Sequence, residues 1–307
     1  MVKCEEDIRS FPGVVIHTTV LALTTILSLA GNSFVFLAFY RNTRLRTISN
    51  FYVLTLAATD LMFAIWNSPF HTIASGLRRW PFSHNFCQFT GFVTQYVAQI
   101  SLCILALAGI NRYFCVVKPH KYTTFFTRKR TLCSILFVWI LLFAQTVTQT
   151  ILAPVTYRWF PNVLYCRATL QDKRAEKIFY VFYGCLFILP LLIVVFCYGK
   201  IYRVVKIHNT VVIPTLQQAN SCGTLSAQDI KTSKIIFAAV FGFCVCWTPT
   251  IVTIVLEFGY EVHIPPHAQP IYTLFAAISA WINPLIYGVM NRAMRTEFRK
   301  IFFCRKD

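Results

Sequence analysis

Long apolar runs separated by short polar stretches organise this chain of 307 residues. Seven of the runs reach the roughly 20 residues that a helix needs to cross the hydrocarbon core of a bilayer. They are Val14–Tyr40, Ser49–Ala74, Asn85–Val117, Thr131–Pro154, Ile178–Val204, Lys231–Phe258 and His267–Met290. An eighth stretch is amphipathic instead. Met294, Phe298, Ile301 and Phe302 recur at helical spacing with Arg295, Arg299 and Lys300 between them, which predicts a helix lying on the membrane surface. The expected fold is therefore all-α: a seven-transmembrane helix bundle with a short amphipathic eighth helix. Residues 1–13 precede the bundle, 14–290 form it, and 291–307 hold the surface helix and tail.

Composition agrees. The chain is 56% hydrophobic and 13% charged, whereas soluble domains carry about 25% charged residues. A net charge of +18 raises nucleic acid as a partner, but the bases lie in loops between spans and form no basic face with interleaved aromatics. Their distribution sets orientation instead. Of the 29 Lys and Arg, 20 fall on the side of the even-numbered turns and the C-terminal tail. The positive-inside rule then places the N-terminus outside and the C-terminus in the cytoplasm. Seven of the eleven acidic residues fall on the outer side, in agreement. The N-terminal residues lack the pattern of a cleavable signal peptide, so the first span is expected to direct insertion.

Cysteines follow the same partition. Of the twelve, only Cys4, Cys87 and Cys166 lie on the outer side, where disulfides persist. A Cys87–Cys166 bridge would pin the loop after span 4 over the bundle; the alternative is an unpaired Cys87 buried as a small hydrophobe. Cys304, just past the amphipathic helix, is a candidate lipidation site.

Charged groups inside a bilayer are costly and mark function. Asp60 is the one carboxylate well within a span, near the bilayer centre. It needs a proton, a cation or several hydrogen-bond donors. Ser101, Ser279 and Asn283 lie at comparable depth, and a monovalent cation bound in one conformational state is the favoured reading over a protonated, packed Asp. Arg112 ends span 3, and Asp229 opens span 6 as the acidic residue of the third cytoplasmic loop. An ion pair between them would be a latch of the kind a switch needs. Pro190, Pro249 and Pro284 interrupt spans 5, 6 and 7.

Several of these residues sit in recognisable contexts. Gly31-Asn32, Leu56-Ala57-x-x-Asp60, Trp80, Cys87, Asn111-Arg112-Tyr113, Trp139, Pro190 with Tyr198, Cys246-Trp247-x-Pro249 and Asn283-Pro284-x-x-Tyr287 occur in that order. In spacing and depth the set resembles the rhodopsin-family G protein-coupled receptors over nearly the whole chain. The resemblance implies a non-enzymatic cell-surface receptor of the plasma membrane, with a heterotrimeric G protein and arrestin as partners. It further implies that Arg112 engages the G protein and that Tyr198 and Tyr287 rearrange on activation. Trp247 would floor the ligand pocket, and Asp60, Ser101, Ser279 and Asn283 would hold Na+. One departure is Asn111, where the family usually has an acid; this predicts altered basal activity.

The ligand is easier to exclude than to name. Amine receptors resemble one another in an Asp five turns above the span 3 Arg, where this chain has Thr94. Opsins need a Lys in span 7 for retinal, and the matching position is Ala277. Local texture, including Tyr40-Arg41-Asn42 and His120-Lys121-Tyr122, is similar to melatonin receptors, although Asn283-Pro284 departs from their pattern. Candidate ligand contacts are Thr94, Gln95, Ala98, Gln149, Gln171, Phe182, Trp247, Thr250 and Thr273, a set suited to a neutral amphipathic small molecule. A peptide ligand is the alternative within the family. Outside it, a transporter or channel is disfavoured by the absence of internal repeats, and an enzyme by the absence of a catalytic constellation within the spans.

Overall fold

The computed structural model describes residues 7–152, 155–208 and 227–303, the last segment with side chains from 230 onward. Among these residues seven helices are long and apolar enough to cross a membrane. Spans 1 to 7 are Phe11–Arg41, Ile48–Leu77, His84–Val117, Arg128–Leu152, Lys173–Ile207, Ile230–Gly259 and Gln269–Met290. A helix over Arg292–Phe302 follows, as the amphipathic pattern predicts.

The helix ends differ from the apolar runs where polar residues extend the helix. Span 5 begins at Lys173, five residues before its first apolar position. Asp172 caps it by accepting from the Arg174 amide over 3.0 Å, and Lys173 to Glu176 form the first turn without needing lipid. Span 1 likewise starts at Phe11, capped by Ser10 with Pro12 in the first turn. Span 2 is not one straight helix. It breaks at Asn67 into Ile48–Trp66 and Ser68–Leu77, because Pro69 brings no amide to the ladder. Span 6 is α-helical to Ile254 and then widens into a π turn over Val255–Gly259.

The apolar pattern does not anticipate a two-stranded antiparallel hairpin between spans 4 and 5. Strand β1 (Thr156–Phe160) pairs with β2 (Tyr165–Thr169), and Cys166 lies opposite Trp159. The turn between them ends at Leu164 in the left-handed region, φ 68°. Cys166 is bonded to Cys87 at the start of span 3, so the bridged alternative holds and the unpaired one does not.

The bundle is apolar outside, and its polar membrane-depth residues are turned into an interior that is itself largely apolar. Leu136, Phe137, Leu189 and Val195 are all exposed by 60% or more, while Asn32, Thr59 and Asn111 are fully buried. Lipid is as apolar as leucine, so close packing and hydrogen bonds hold the helices together. Gly31 shows the first: a Cβ there would lie 2.9 Å from Cβ of Pro284, so span 1 meets span 7 only because it lacks one. Pro284 shows the second. It cannot donate to Ala280, four residues back; that carbonyl accepts instead from Asn32 Nδ2 (2.9 Å) and Ser28 Oγ (3.1 Å) of span 1.

Candidate functional site

A cavity runs inward from the hairpin between spans 1, 2, 3, 5, 6 and 7. The space between its walls, open solvent at the mouth included, is about 1230 Å³. Its walls are mostly apolar, with neutral polar groups at Thr94, Gln95, Thr250 and Thr273 among them. Ala98, Trp247 and Ala277 also line it. Three expected contacts stand elsewhere. Gln149 does not reach the wall: its Oε1 accepts from Gln95 Nε2 over 2.8 Å. Gln171 is exposed in the turn before span 5, and Phe182 is 49% exposed on the outer face of the bundle.

The hairpin roofs the cavity and reaches into it. Tyr157 of β1 lies directly on Gly91, where any side chain would collide with its ring. Its amide donates to Gln88 Oε1 (2.9 Å) and its hydroxyl to Gln95 Oε1 (2.8 Å). At the tip, Leu164 is fully buried and packs with Leu21 of span 1 and Ala277 of span 7. Thr273 Oγ1 donates to the Val163 carbonyl over 2.6 Å, pinning the turn to span 7. Burial is the main cause that pushes the pKa of Tyr157 and Tyr165 up, so both hydroxyls stay protonated.

One ion pair borders the roof. Arg167 of β2 donates to Glu257 of span 6 (3.2 and 3.3 Å), and its guanidinium lies 4.4 Å from the Phe160 ring centroid. The pair cancels its own charge. Neither this pair nor His71 belongs to the set expected from sequence. His71 is buried, lines the cavity near Trp80 and Trp159, and has no hydrogen-bond partner for Nε2 among the described residues. The kink at Asn67–Pro69 turns it inward, and Pro69 is the sequence signal that marks it.

At the inner end the cavity reaches Trp247, Ser279, Asp60, Ser101 and Asn283. Trp247 Nε1 donates to Ser279 Oγ over 3.1 Å. Asp60 Oδ2 accepts from Asn283 Nδ2 over 3.1 Å, and Ser101 Oγ pairs with Thr59 Oγ1 over 3.1 Å. Asn283 Oδ1 is buried without a hydrogen-bond partner among the described residues. The four expected residues, from spans 2, 3 and 7, thus all line the inner end of the cavity, and their oxygens are the hard donors that a small cation prefers. Among the described residues no group of three His, Cys, Asp or Glu forms a site for another metal.

The far end of span 3 carries the other polar cluster. Arg112 is 3% exposed. Its Nη2 donates to Asn111 Oδ1 over 2.9 Å, and it also bonds Ser49 Oγ of span 2. Asn111 Nδ2 donates to Tyr122 over 3.4 Å. Tyr198 is buried beside Gly109 of span 3, its ring 3.5 Å from where a Cβ would lie. Tyr287 is buried in the same core, while Tyr113 turns toward Phe196 of span 5. Pro249 interrupts span 6 two residues after Trp247. The side chain of Asp229 and all of Cys304 lie outside the described residues.

The family model described as "7 transmembrane receptor (rhodopsin family)" matches residues 31–287. Among curated proteins, melatonin receptor type 1A of Ovis aries is 28% identical, covering 92% of this chain and 76% of its own length. The same receptor of Gallus gallus is 28% identical, covering 93% and 80%. "G-protein coupled receptor 54" of Oreochromis niloticus is 27% identical, covering 92% and 76%. Squid rhodopsin superimposes with a TM-score of 0.78 at 23% identity, covering 96% of this chain and 89% of that one, a likeness of fold.

Proposed function

Because the chain belongs to the rhodopsin family of seven-transmembrane, G protein-coupled receptors, we propose that it answers a neutral, amphipathic small molecule of the melatonin-like kind, bound in the cavity under the hairpin. One observation carries this reading. The cavity offers neutral polar groups on apolar walls, and the ion pair at its roof, Arg167 with Glu257, is internally compensated. Thr94 stands where an amine would need a carboxylate. The similarity to melatonin receptors supports the same class. The inserted turn at Val163 and Leu164 leaves less room for a peptide from above.

In this reading the N-terminus and hairpin face the outside of the plasma membrane, and the Arg112 end faces the cytoplasm. Asp60, Ser101, Ser279 and Asn283 hold Na+ in the resting state; when bound, the ion supplies positive charge to Asp60 in a low-dielectric interior. Ligand pressing on Trp247 strains the bond to Ser279, and span 6 swings at Pro249. The swing opens a groove beside Arg112 where the G protein docks. Ligand and G protein must then strengthen each other's binding by the same factor. Arrestin would read Thr210, Thr215, Ser221, Thr224 or Ser226, which lie outside the described residues.

Thermal shift of the purified receptor across an indole panel tests the ligand class. N-acetylated neutral indoles are expected to raise the melting temperature and free tryptamines are not. The reverse ranking would refute the reading.

A further inference from the structure

Spans 5 and 6 part on the outside of the bundle to leave a second cleft that has no polar surface. Trp247 and Thr250 form its inner end, and both also line the ligand cavity. The Thr250 hydroxyl is turned away, donating to the Tyr272 carbonyl over 3.3 Å. At the rim stand Val181, Ile188 and Val255, which are 52%, 44% and 41% exposed. Gly184 keeps the span 5 wall open, since among the described residues nothing lies within 4 Å of the position its Cβ would take. On the opposite wall the helix of span 6 widens into the π turn. There Phe258 stacks on Tyr180 with centroids 3.8 Å apart and closes the end nearest the hairpin.

The cleft lies within spans that the hydrocarbon core surrounds, so depth decides what can fill it. Water would find no hydrogen-bond partner on these walls. Left empty, both walls would forfeit dispersion contacts. Hydrocarbon chains are the material at hand, and a chain is thin enough to enter between two helices. We propose that this cleft is a binding site for one acyl chain of a bilayer phospholipid, inserted between spans 5 and 6 until its end touches Trp247. The chain would then press on the floor of the ligand cavity from the lipid side. That last consequence rests on the reading of the inner cavity as the ligand site; the chain site itself does not.

The test uses the full chain in vesicles of palmitoyl-stearoyl-phosphatidylcholine, plain or brominated near the end of its stearoyl chain, with tryptophan fluorescence as readout. Bromine quenches only on close approach. The chain has six tryptophans, so the Trp247 signal is the difference between the native chain and Trp247→Phe. Brominated lipid is expected to remove most of that signal, and Gly184→Phe, which fills the cleft, to restore it. Gly184→Leu is the milder second variant. Unchanged quenching of the other five tryptophans in both variants reports an intact bundle. Equal Trp247 fluorescence in the two lipids would overturn the proposal, and so would equal quenching with and without a filled cleft. The readout needs neither agonist nor G protein, so failure of the ligand reading leaves it standing.

Discussion

The indole N–H of Trp247 donates to Ser279 Oγ over 3.1 Å, joining the floor of the hairpin-side cavity to the wall that carries Asp60 and Asn283. A single hydroxyl therefore touches both the proposed ligand space and the candidate cation space. Ser279→Ala removes it at a cost of about 1 kcal/mol for a neutral hydrogen bond, or roughly fivefold in a two-state equilibrium. Basal nucleotide exchange in membranes is expected to rise by about that factor. Unchanged basal exchange would separate the two spaces.

Asp60→Asn keeps the shape and the acceptor for Asn283 but discards the charge that Na+ requires. Agonist affinity measured in sodium chloride and in N-methylglucamine chloride should differ for the native chain and coincide for the variant. A sodium effect that survives in Asp60→Asn would remove this carboxylate from the cation site.

Asn111 accepts from Arg112 as a neutral amide. In Asn111→Asp the acceptor also becomes charged and the bond turns into an ion pair, worth about 1 kcal/mol more. Arg112 is then held more firmly, and basal signalling should fall several-fold at equal surface expression. Basal signalling that stays level would end the argument that Asn111 loosens the restraint.

The carbonyl that Pro284 leaves open depends on span 1. Asn32→Leu leaves Ala280 with Ser28 as its remaining span 1 partner, and an under-satisfied buried group costs about 1–3 kcal/mol. Gly31→Ala instead drives a Cβ against Pro284. Both variants should unfold at lower temperature in detergent, with ligand affinity kept where folded protein remains. A melting temperature equal to that of the native chain in both would show that spans 1 and 7 are held together elsewhere.

Arg167 and Glu257 tie the hairpin to span 6, and both side chains are largely buried. Arg167→Ala and Glu257→Gln should each destabilise the receptor, and the double variant by less than their sum. The expected coupling is roughly 0.5–3 kcal/mol. Strict additivity would mean that the pair contributes no restraint on the roof.

The bundle was legible because the bilayer imposes one rule, an apolar helix of fixed minimum length, and seven runs obey it. The inner wall was legible for a related reason: Asp60 and Asn283 are conspicuous among apolar neighbours. What the apolar pattern hides is tertiary. Leu164 is an ordinary leucine in a loop until the turn lodges it against Leu21 and Ala277. Gln149 has the chemistry of a ligand contact, yet its carbonyl is committed to Gln95. His71 enters the cavity through a kink at Asn67–Pro69 that moves a whole helix segment, and hydropathy does not register such a rotation.

Agonist-stimulated nucleotide exchange in membranes holding the native chain or Arg112→Ala, at matched surface expression, tests the account most directly. A neutral indole amide should stimulate exchange by the native chain, while Arg112→Ala binds the same compound and stimulates none. Equal exchange by both proteins would contradict the account, because the cavity would then be linked to its G protein by some route other than Arg112.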